Sequence, residues 1–365
     1  MGSRPDDLLA RRGGAVELLR LPALLMRALS GARNRLYDHG WLPSRRLSLP
    51  IVSVGNLTVG GTGKTPMVAF LAKALAERGF RPGVVSRGYK AEEHTPETSE
   101  ESVRLNDEGQ LLARSVPGLL QVQDPDRALG AIQLEQQGAD VVILDDGFQH
   151  RRLARDLDLV LVDATRPWGL PATEPGGAAV RSHLPRGLLR EGLDSLARAS
   201  AVVLTRCDAV STDRLAELEA ELEAAAPGVP RLLAAHRPSD LRRSEERLGV
   251  ETLRGREVVL VSGIGNPQAF EVTARELGAR VVEVRAFPDH HAFEAGDLAA
   301  LPMGAEALVT AKDAVKLERL GVTCLVLEVE LELVRGAPVL DALLDALPLS
   351  QRALEREAIH SGLHG

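Results

Sequence analysis

The segment most informative about the fold is Leu49-Pro-Ile-Val-Ser-Val-Gly55, followed directly by Asn56-Leu-Thr-Val-Gly-Gly-Thr-Gly-Lys-Thr65. Its first part is a short apolar run rich in β-branched residues, which predicts a buried strand. Its second part is rich in glycine and ends in Gly-Lys-Thr, where a helix is predicted to begin. Backbone N–H groups of such a turn can converge on phosphate oxygens. The stretch therefore predicts a nucleotide-phosphate loop, with Lys64 on the β- and γ-phosphates and the Thr65 hydroxyl on Mg²⁺.

The predicted nucleotide-binding residues follow one another along this loop. They are Thr58, Val59, Gly60, Gly61, Thr62, Gly63, Lys64 and Thr65. The strict form of the pattern has glycine where this chain has Thr58. The alternative interpretation is a glycine turn that binds no ligand.

Similar apolar runs recur along the chain and alternate with predicted helices. The runs lie at 83–86, 141–145, 157–163 and 201–205, with helices such as 66–78 and 127–137 between them. Strands that alternate with helices predict an α/β fold with a doubly wound, mostly parallel sheet of the P-loop NTPase type. A second series of runs, at 258–261, 280–284, 307–310 and 324–329, predicts a second, smaller α/β lobe.

The Pro- and Gly-rich segment 226–230 separates the two series. We predict four regions: a basic amphipathic segment at 1–48, a P-loop core at 49–227, a second lobe at 228–325, and a C-terminal strand and helix at 326–365 that return to the core.

Composition excludes several classes of protein. The 365 residues carry a net charge of −7 and contain only 6 Phe, 2 Trp and 2 Tyr, so we expect no nucleic-acid partner. Cys207 and Cys324 stand alone, which argues against a disulfide scaffold and fits a reducing compartment. No apolar run approaches the roughly 18 residues needed to span a bilayer, and the N-terminus lacks the pattern of a secretory signal.

The first 48 residues differ from the rest in charge. They hold nine arginines against four acidic residues, a net charge of +5. Between Val16 and Leu36 the leucines fall on one side of a helix, with Glu17, Arg20, Arg27, Gly31, Asn34 and Arg35 on the other, and Pro22 is expected to start a fresh helix. Two interpretations are open: the helix packs on its own domain, or it lies in an anionic membrane surface.

Carboxylates follow the predicted strand at 141–145. A phosphate loop requires an acidic residue at the end of a neighbouring strand to position the metal, and Asp145 and Asp146 occupy that place. The alternative is that both aspartates only cap the next segment. Asp163 ends the following strand, and we expect it to be a cap.

Eight segments together resemble the tetraacyldisaccharide 4'-kinase family. They are 53–66, Ser86-Arg-Gly-Tyr89, Asp145-Asp-Gly-Phe-Gln-His150, Asp163-Ala-Thr-Arg-Pro167, Leu188-Leu-Arg-Glu191, Gly263-Ile-Gly-Asn-Pro267, Phe287-Pro-Asp-His290 and Thr310-Ala-Lys-Asp-Ala-Val-Lys316. The resemblance implies transfer of the γ-phosphoryl group from ATP, with Mg²⁺, to the 4'-hydroxyl of a lipid A disaccharide precursor. It also implies a peripheral enzyme on the cytoplasmic face of the bacterial inner membrane, with no obligate protein partner.

The resemblance also assigns roles to single residues. It implies that Asp107, in Asn106-Asp-Glu-Gly109, is the base that takes the hydroxyl proton, assisted by His290 of a second lobe that closes over the nucleotide. Lys64 and Asp146 are the further catalytic candidates. The expected metal ligands are Thr65, Asp145, Asp146 and Glu191, and Arg127, Gln149 and His150 are candidates for substrate contacts.

A second class of function is compatible with the phosphate loop alone. A P-loop switch or metallochaperone-type NTPase would couple hydrolysis to partner binding, and a metal-carrying switch should show a Cys/His cluster. The sequence shows none, so we favour the kinase.

Overall fold

The computed structural model describes residues 9–10, 13–88, 105–170, 179–244, 246–288, 291–298 and 301–348. They divide into two compact units. The first unit draws on the ranges Met1–Tyr89, Val116–Ala235 and Glu332–Gly365, and the second on Lys90–Ser115 and His236–Leu331.

The first unit is built on a parallel sheet. Its strands are β1 (Ile51–Asn56), β2 (Pro82–Ser86), β3 (Leu120–Gln123), β4 (Val141–Asp145), β5 (Leu157–Asp163) and β6 (Ala201–Thr205), and it also holds the start of β7 (Arg231–Arg243). The spatial order is β7-β6-β5-β1-β4-β2-β3. Every residue of β1, β4, β5 and β6 is buried, as expected of parallel strands covered on both faces.

The register places the two motif-bearing strands side by side. Ser53 of β1 pairs with Leu144 of β4 and with Asp158 of β5. Val54 lies beside Asp145, so the strand that leads into the glycine-rich loop and the strand that ends in the aspartates finish at the same edge of the sheet. Ligand sites of open α/β sheets lie at this edge.

The described residues of the first unit form five α-helices longer than one turn. They are α1 (Arg20–Asp38), α2 (Lys64–Glu77), α4 (Arg127–Gln136), α5 (Thr212–Ala225) and α8 (Ala337–Asp345). Buried aliphatic clusters lie between the sheet and these helices, for example Val142 with Leu134, and Val160 with Leu218. Arg78, just after α2, binds Asp341 and Asp345 of α8 at 2.6 and 2.8 Å.

The second unit has its own parallel strands and helices. The strands are β9 (Glu257–Ser262), β10 (Arg280–Ala286), β11 (Glu306–Thr310) and most of β12 (Leu325–Arg335), in the order β10-β9-β11-β12, and the two-residue β8 (Glu246–Arg247) pairs antiparallel with the end of β7. The helices are α3 (Asp107–Ser115), α6 (Pro267–Glu276) and α7 (Ala311–Arg319). Short 3₁₀ turns occur at Gly14–Leu19, Leu193–Arg198, Cys207–Ala209, Val250–Leu253 and Ala295–Leu298.

The fold class predicted from the sequence is confirmed, and the division of the chain differs from the predicted bounds. The Pro- and Gly-rich segment 226–230 is a turn that leads directly into β7, which pairs in parallel with β6. The compact units separate after Ala235, within β7, and not near residue 228. Helix α3, which the predicted bounds placed in the core, lies in the second unit.

Helix α1 faces the protein with its polar side. Ala23 is its one buried residue, and Asn34 and Tyr37 on the same side are partly buried. The leucines on the other side are 56% to 74% exposed: Leu18 in the preceding turn, then Leu21, Leu24, Leu25 and Leu29. These five leucines are therefore mostly exposed, while Leu36 near the end of the helix is partly buried. Among the described residues, no helix is both long enough and apolar enough to cross a membrane.

Candidate active site

The glycine-rich loop has the backbone that phosphate binding requires. Helix α2 begins at Lys64, and Gly63 before it adopts the left-handed region with φ +88°. Gly60 has φ +124°, a conformation open to glycine almost alone. A Cβ built on Gly60 or Gly61 would meet no atom within 4 Å, so the loop borders open space there. A helix N-terminus with space in front of it fits the phosphates of a nucleotide.

The start of the loop is paired with another segment. Thr58 forms an antiparallel bridge with Leu189, and the N–H of Val59 donates to the carbonyl of Leu188 at 2.8 Å. Thr58 does not have a positive φ, and it therefore does not need to be glycine. The Val59 amide therefore already has a hydrogen-bond partner inside the protein.

Residues of β6 and the turn after it support the end of the loop. The Thr205 hydroxyl donates to the carbonyl of Thr62 at 2.9 Å, and Arg206 donates to the carbonyl of Gly61 at 3.1 Å. Arg206 also forms an ion pair with Asp163. Asp163 accepts from the N–H of Thr165 at 2.9 Å, so the predicted cap is confirmed.

Lys64 lies against the aspartate turn. Its Nζ is 3.6 Å from Oδ1 of Asp146, and Arg190 donates to the two oxygens of the same carboxylate at 2.9 and 2.7 Å. Burial alone would raise the pKa of Asp146, but the charges of Lys64 and Arg190 outweigh it and hold that pKa below its usual value. Asp146 is ionised at neutral pH. It also has φ +57°, which is uncommon outside glycine and concentrates at functional sites.

The turn that holds Asp146 is packed tightly on β1. The N–H of Gly147 donates to the carbonyl of Val54 at 3.0 Å. A Cβ on Gly147 would lie 2.7 Å from the Ser53 hydroxyl oxygen, so only glycine fits. Gln149 follows, and its amide donates to the carbonyl of Asn56 at 2.8 Å.

Arg127 and His150 lie beside the same turn. The Arg127 guanidinium is buried and donates to the main-chain carbonyls of Asp124 at 2.8 Å and Asp145 at 3.3 Å. Burial lowers its pKa. Burial and the charge of Arg127 together lower the pKa of His150, which favours a neutral imidazole.

Glu191 is held by side chains from two other elements. It is 3% exposed, and its Oε2 accepts from Asn34 of α1 at 2.7 Å and from Arg198 at 2.6 Å. The Arg198 guanidinium carbon also stacks 3.8 Å from the centre of the Phe148 ring. The carboxylate predicted to bind metal therefore also contacts α1.

The predicted metal ligands meet the needs of Mg²⁺ only in part. Across the described ranges there is no group of three or more His, Cys, Asp or Glu residues that could hold a metal ion. Mg²⁺ in phosphoryl-transfer sites is usually bound by one or two carboxylates, water and the nucleotide phosphates. Thr65 in the first turn of α2 and the aspartates at the end of β4 fit that kind of binding.

The predicted base lies in the second unit. Asp107 is the first residue of α3, and its carboxylate is 3.2 Å from Arg319 and 3.9 Å from Lys316 of α7. The predicted assistant, His290, lies outside the described residues. The adjacent His291 is engaged in the fold, because its Nε2 is 2.9 Å from Asp297 and its ring stacks on Phe287.

Sequence reasoning missed four residues that organise the site. Arg190, Arg198, Arg206 and Asn34 each bind a motif carboxylate or the phosphate loop. Arg190 could be predicted from the sequence, because it directly precedes Glu191 in the segment Leu188-Leu-Arg-Glu191. No local pattern marks the other three.

Comparisons with known proteins give a consistent result. The family model described as tetraacyldisaccharide-1-P 4'-kinase matches residues 15–348. A tetraacyldisaccharide 4'-kinase from Anaeromyxobacter sp. (strain K) is 40% identical, over 94% of this chain and 93% of the relative. One from Geobacter sulfurreducens is 38% identical, over 95% of this chain and 93% of the relative.

Among solved structures, LpxK from Aquifex aeolicus in complex with ATP is similar to this chain. The TM-score is 0.67 and the sequence identity 32%, and the match covers 88% of this chain and 96% of that protein.

Proposed function

The chain belongs to the tetraacyldisaccharide-1-P 4'-kinase family, and on that premise we propose that it transfers the γ-phosphoryl group of ATP to the 4'-hydroxyl of a tetraacyldisaccharide 1-phosphate. The observation that supports this best is the contact of Lys64 with Asp146 at a loop shaped for phosphate. The loop supplies an anion site, and the lysine and aspartate supply the charges that phosphoryl transfer uses.

The chain's own residues act mainly by positioning and by charge. The N–H groups at the start of α2 and the ammonium of Lys64 bind the phosphates and stabilise the charge that develops on them during transfer. Arg190 holds both oxygens of Asp146, so this carboxylate keeps one orientation. The transfer breaks the bond between the γ-phosphorus and the bridging oxygen, forms a bond to the sugar oxygen, and releases the hydroxyl proton.

Mg²⁺ would be held by Thr65, Asp145 and Asp146, with Glu191 as a further candidate. When bound, it neutralises charge on the β- and γ-phosphate oxygens. Asp107 and His290 stay predictions as the pair that takes the hydroxyl proton. A carboxylate beside a histidine is chemically suited to this role.

We also propose that α1 binds the anionic cytoplasmic surface of the inner membrane, where the acyl chains of the substrate are embedded. Its exposed leucines form an apolar surface, and Arg20, Arg27, Arg33 and Arg35 lie in the same helix. Apolar side chains enter the boundary between headgroups and acyl chains, and arginines attract anionic lipids.

The kinase proposal is tested with γ-labelled ATP and tetraacyldisaccharide 1-phosphate in detergent micelles. Labelled lipid is the expected product. Lys64→Met should lower its formation about a hundredfold, the scale seen when one charge-stabilising donor is removed. Lys73→Met is the matched control, because Lys73 lies in the same helix with its side chain exposed. Nucleotide hydrolysis without labelled lipid would refute the kinase and favour a switch NTPase.

The membrane proposal is tested by co-sedimentation with vesicles that contain phosphatidylglycerol. Leu25→Glu should weaken binding about tenfold or more, since burying one leucine is worth roughly 1.5–3 kcal/mol. The matched control is Leu129→Glu, because Leu129 is 50% exposed on α4 while Leu25 is 59% exposed on α1. Equal binding by both variants would show that the leucine side of α1 does not face the lipid.

A further inference from the structure

The segment Thr310-Ala-Lys-Asp-Ala-Val-Lys316 has no role in the function described so far. In the structure it forms the start of α7. The Thr310 hydroxyl accepts from the N–H of Asp313 at 3.3 Å and donates to the Asp313 carboxylate at 2.8 Å. That carboxylate is fully buried and also accepts from the N–H of Gly263, after β9, at 3.1 Å. These hydrogen bonds connect the first turn of α7 to the loop after β9.

One turn later, Lys316 reaches two other segments of the second unit. Its side chain is 10% exposed. Its Nζ donates to the carbonyl of His291 at 3.1 Å and lies 3.9 Å from Oδ2 of Asp107. It also lies 5.8 Å from the centre of the Phe293 ring, within the range of a cation–π contact. One largely covered ammonium thus contacts both the first residue of α3 and the main chain at His291.

Arg319 approaches the same carboxylate from a more open position. Its guanidinium is 3.2 Å from Oδ1 of Asp107, and its side chain is 47% exposed. The carboxylate of Asp107 thus has one cation at each oxygen. Arg319 is the closer cation, but because it is more exposed its charge is screened more strongly by water and salt than the charge of Lys316.

We propose that Lys316 is a positioning residue for phosphoryl transfer, which holds the Asp107 carboxylate in one orientation against the main chain at His291. This inference rests on the proposed function and on the prediction that Asp107 is the base. Lysine suits the position because a compact ammonium can donate to a carbonyl on one segment while its charge attracts a carboxylate on another, whereas the planar guanidinium is built for paired acceptors. The chain contains only five lysines against 39 arginines, and this is one of the five.

The inference is tested by a double-mutant cycle on the full-length protein in the micelle assay. Lys316→Met should lower kcat at least tenfold, while KM for ATP stays within twofold, because the phosphate loop is untouched. In an Asp107→Asn background, the same substitution should lower kcat by less than twofold, because the group that Lys316 positions has already lost its charge. Lys312→Met, in the same helix, is the matched control and should retain kcat within threefold.

Several results would overturn the inference. They are a wild-type kcat in Lys316→Met, a full tenfold loss in both backgrounds, or an equal loss in Lys312→Met. A kcat unchanged in Asp107→Asn would remove the base itself and the inference with it. A wild-type protein that makes no labelled lipid would instead refute the proposed function. If Lys316→Met does not fold, Lys316→Gln is measured against the same thresholds.

Discussion

Replacing Thr205 with valine removes one hydrogen bond from beneath the phosphate loop and keeps the shape of the side chain. Thr205 is fully buried, and its hydroxyl donates to the carbonyl of Thr62 at 2.9 Å. Such a bond contributes about 1 kcal/mol net, and a buried carbonyl left unsatisfied costs about 1–3 kcal/mol. The substitution is therefore expected to make the native loop conformation about fivefold less favourable, or more, relative to other loop conformations.

ATP binding reports this change directly. A ligand that binds only one loop conformation loses affinity in proportion to the population of that conformation. The Kd for ATP should therefore rise in Thr205→Val by up to about fivefold, the full factor applying when the free loop already populates other conformations. KM for the lipid should stay unchanged. Equilibrium titration with a fluorescent ATP analogue gives the Kd, and Thr205→Ser, which keeps the hydroxyl, should bind like the wild type. A Kd for Thr205→Val within twofold of the wild type would refute the argument that this bond shapes the loop.

Three further predictions use other parts of the first unit. Arg190→Met removes a positive charge from Asp146 and raises its pKa, so the acidic limb of the pH profile of kcat/KM should move to higher pH. Burial, and then the charge of Arg27, lower the pKa of His183 in the folded protein. As pH falls below about 6.5, the unfolded chain therefore binds a proton at His183 before the folded protein does, and the free energy of unfolding decreases. Urea denaturation should show the wild type losing stability over this pH range more steeply than His183→Gln. Gly55→Ala places a Cβ 2.5 Å from Cβ of Phe148 and should destabilise the protein by at least about 1–3 kcal/mol in thermal unfolding, whereas Gly31→Ala, which meets nothing within 4 Å in α1, should stabilise it by about 0.5–1 kcal/mol.

The strands that sequence reasoning located best are those buried on both faces. The predicted bounds of β4, β5 and β6 agree with the structure, because a run of mostly apolar residues between polar segments has a clear start and end. Strand β3 (Leu120–Gln123) was missed, since it lies at the end of the strand order and alternates apolar with polar residues over only four positions. Strand β7 was missed because the Pro- and Gly-rich turn before it has the composition of a linker.

The amphipathic pattern of helix α1 did not predict which of its sides faces the protein. The sequence correctly separated a leucine side from a polar side, but hydrophobic periodicity normally predicts that the apolar side faces the protein. Here the polar side does, because Asn34 binds Glu191 and Arg151 binds Asp38 across that surface. Specific polar partners, which are distant in sequence, decided the orientation.

The α/β fold class, the phosphate loop and the aspartate turn are predictable from local sequence, because each depends on residues that are contiguous in the chain. The contacts that hold these parts in place are visible only in the folded protein. Thr205 and Thr62 are 143 positions apart, and Arg190 and Asp146 are 44 apart, yet each pair forms a direct hydrogen bond. Lys316 and Asp107, also far apart in the chain, form an ion pair at 3.9 Å. Such contacts arise from the register of the strands and the packing of the helices, so no local pattern of residue types encodes them.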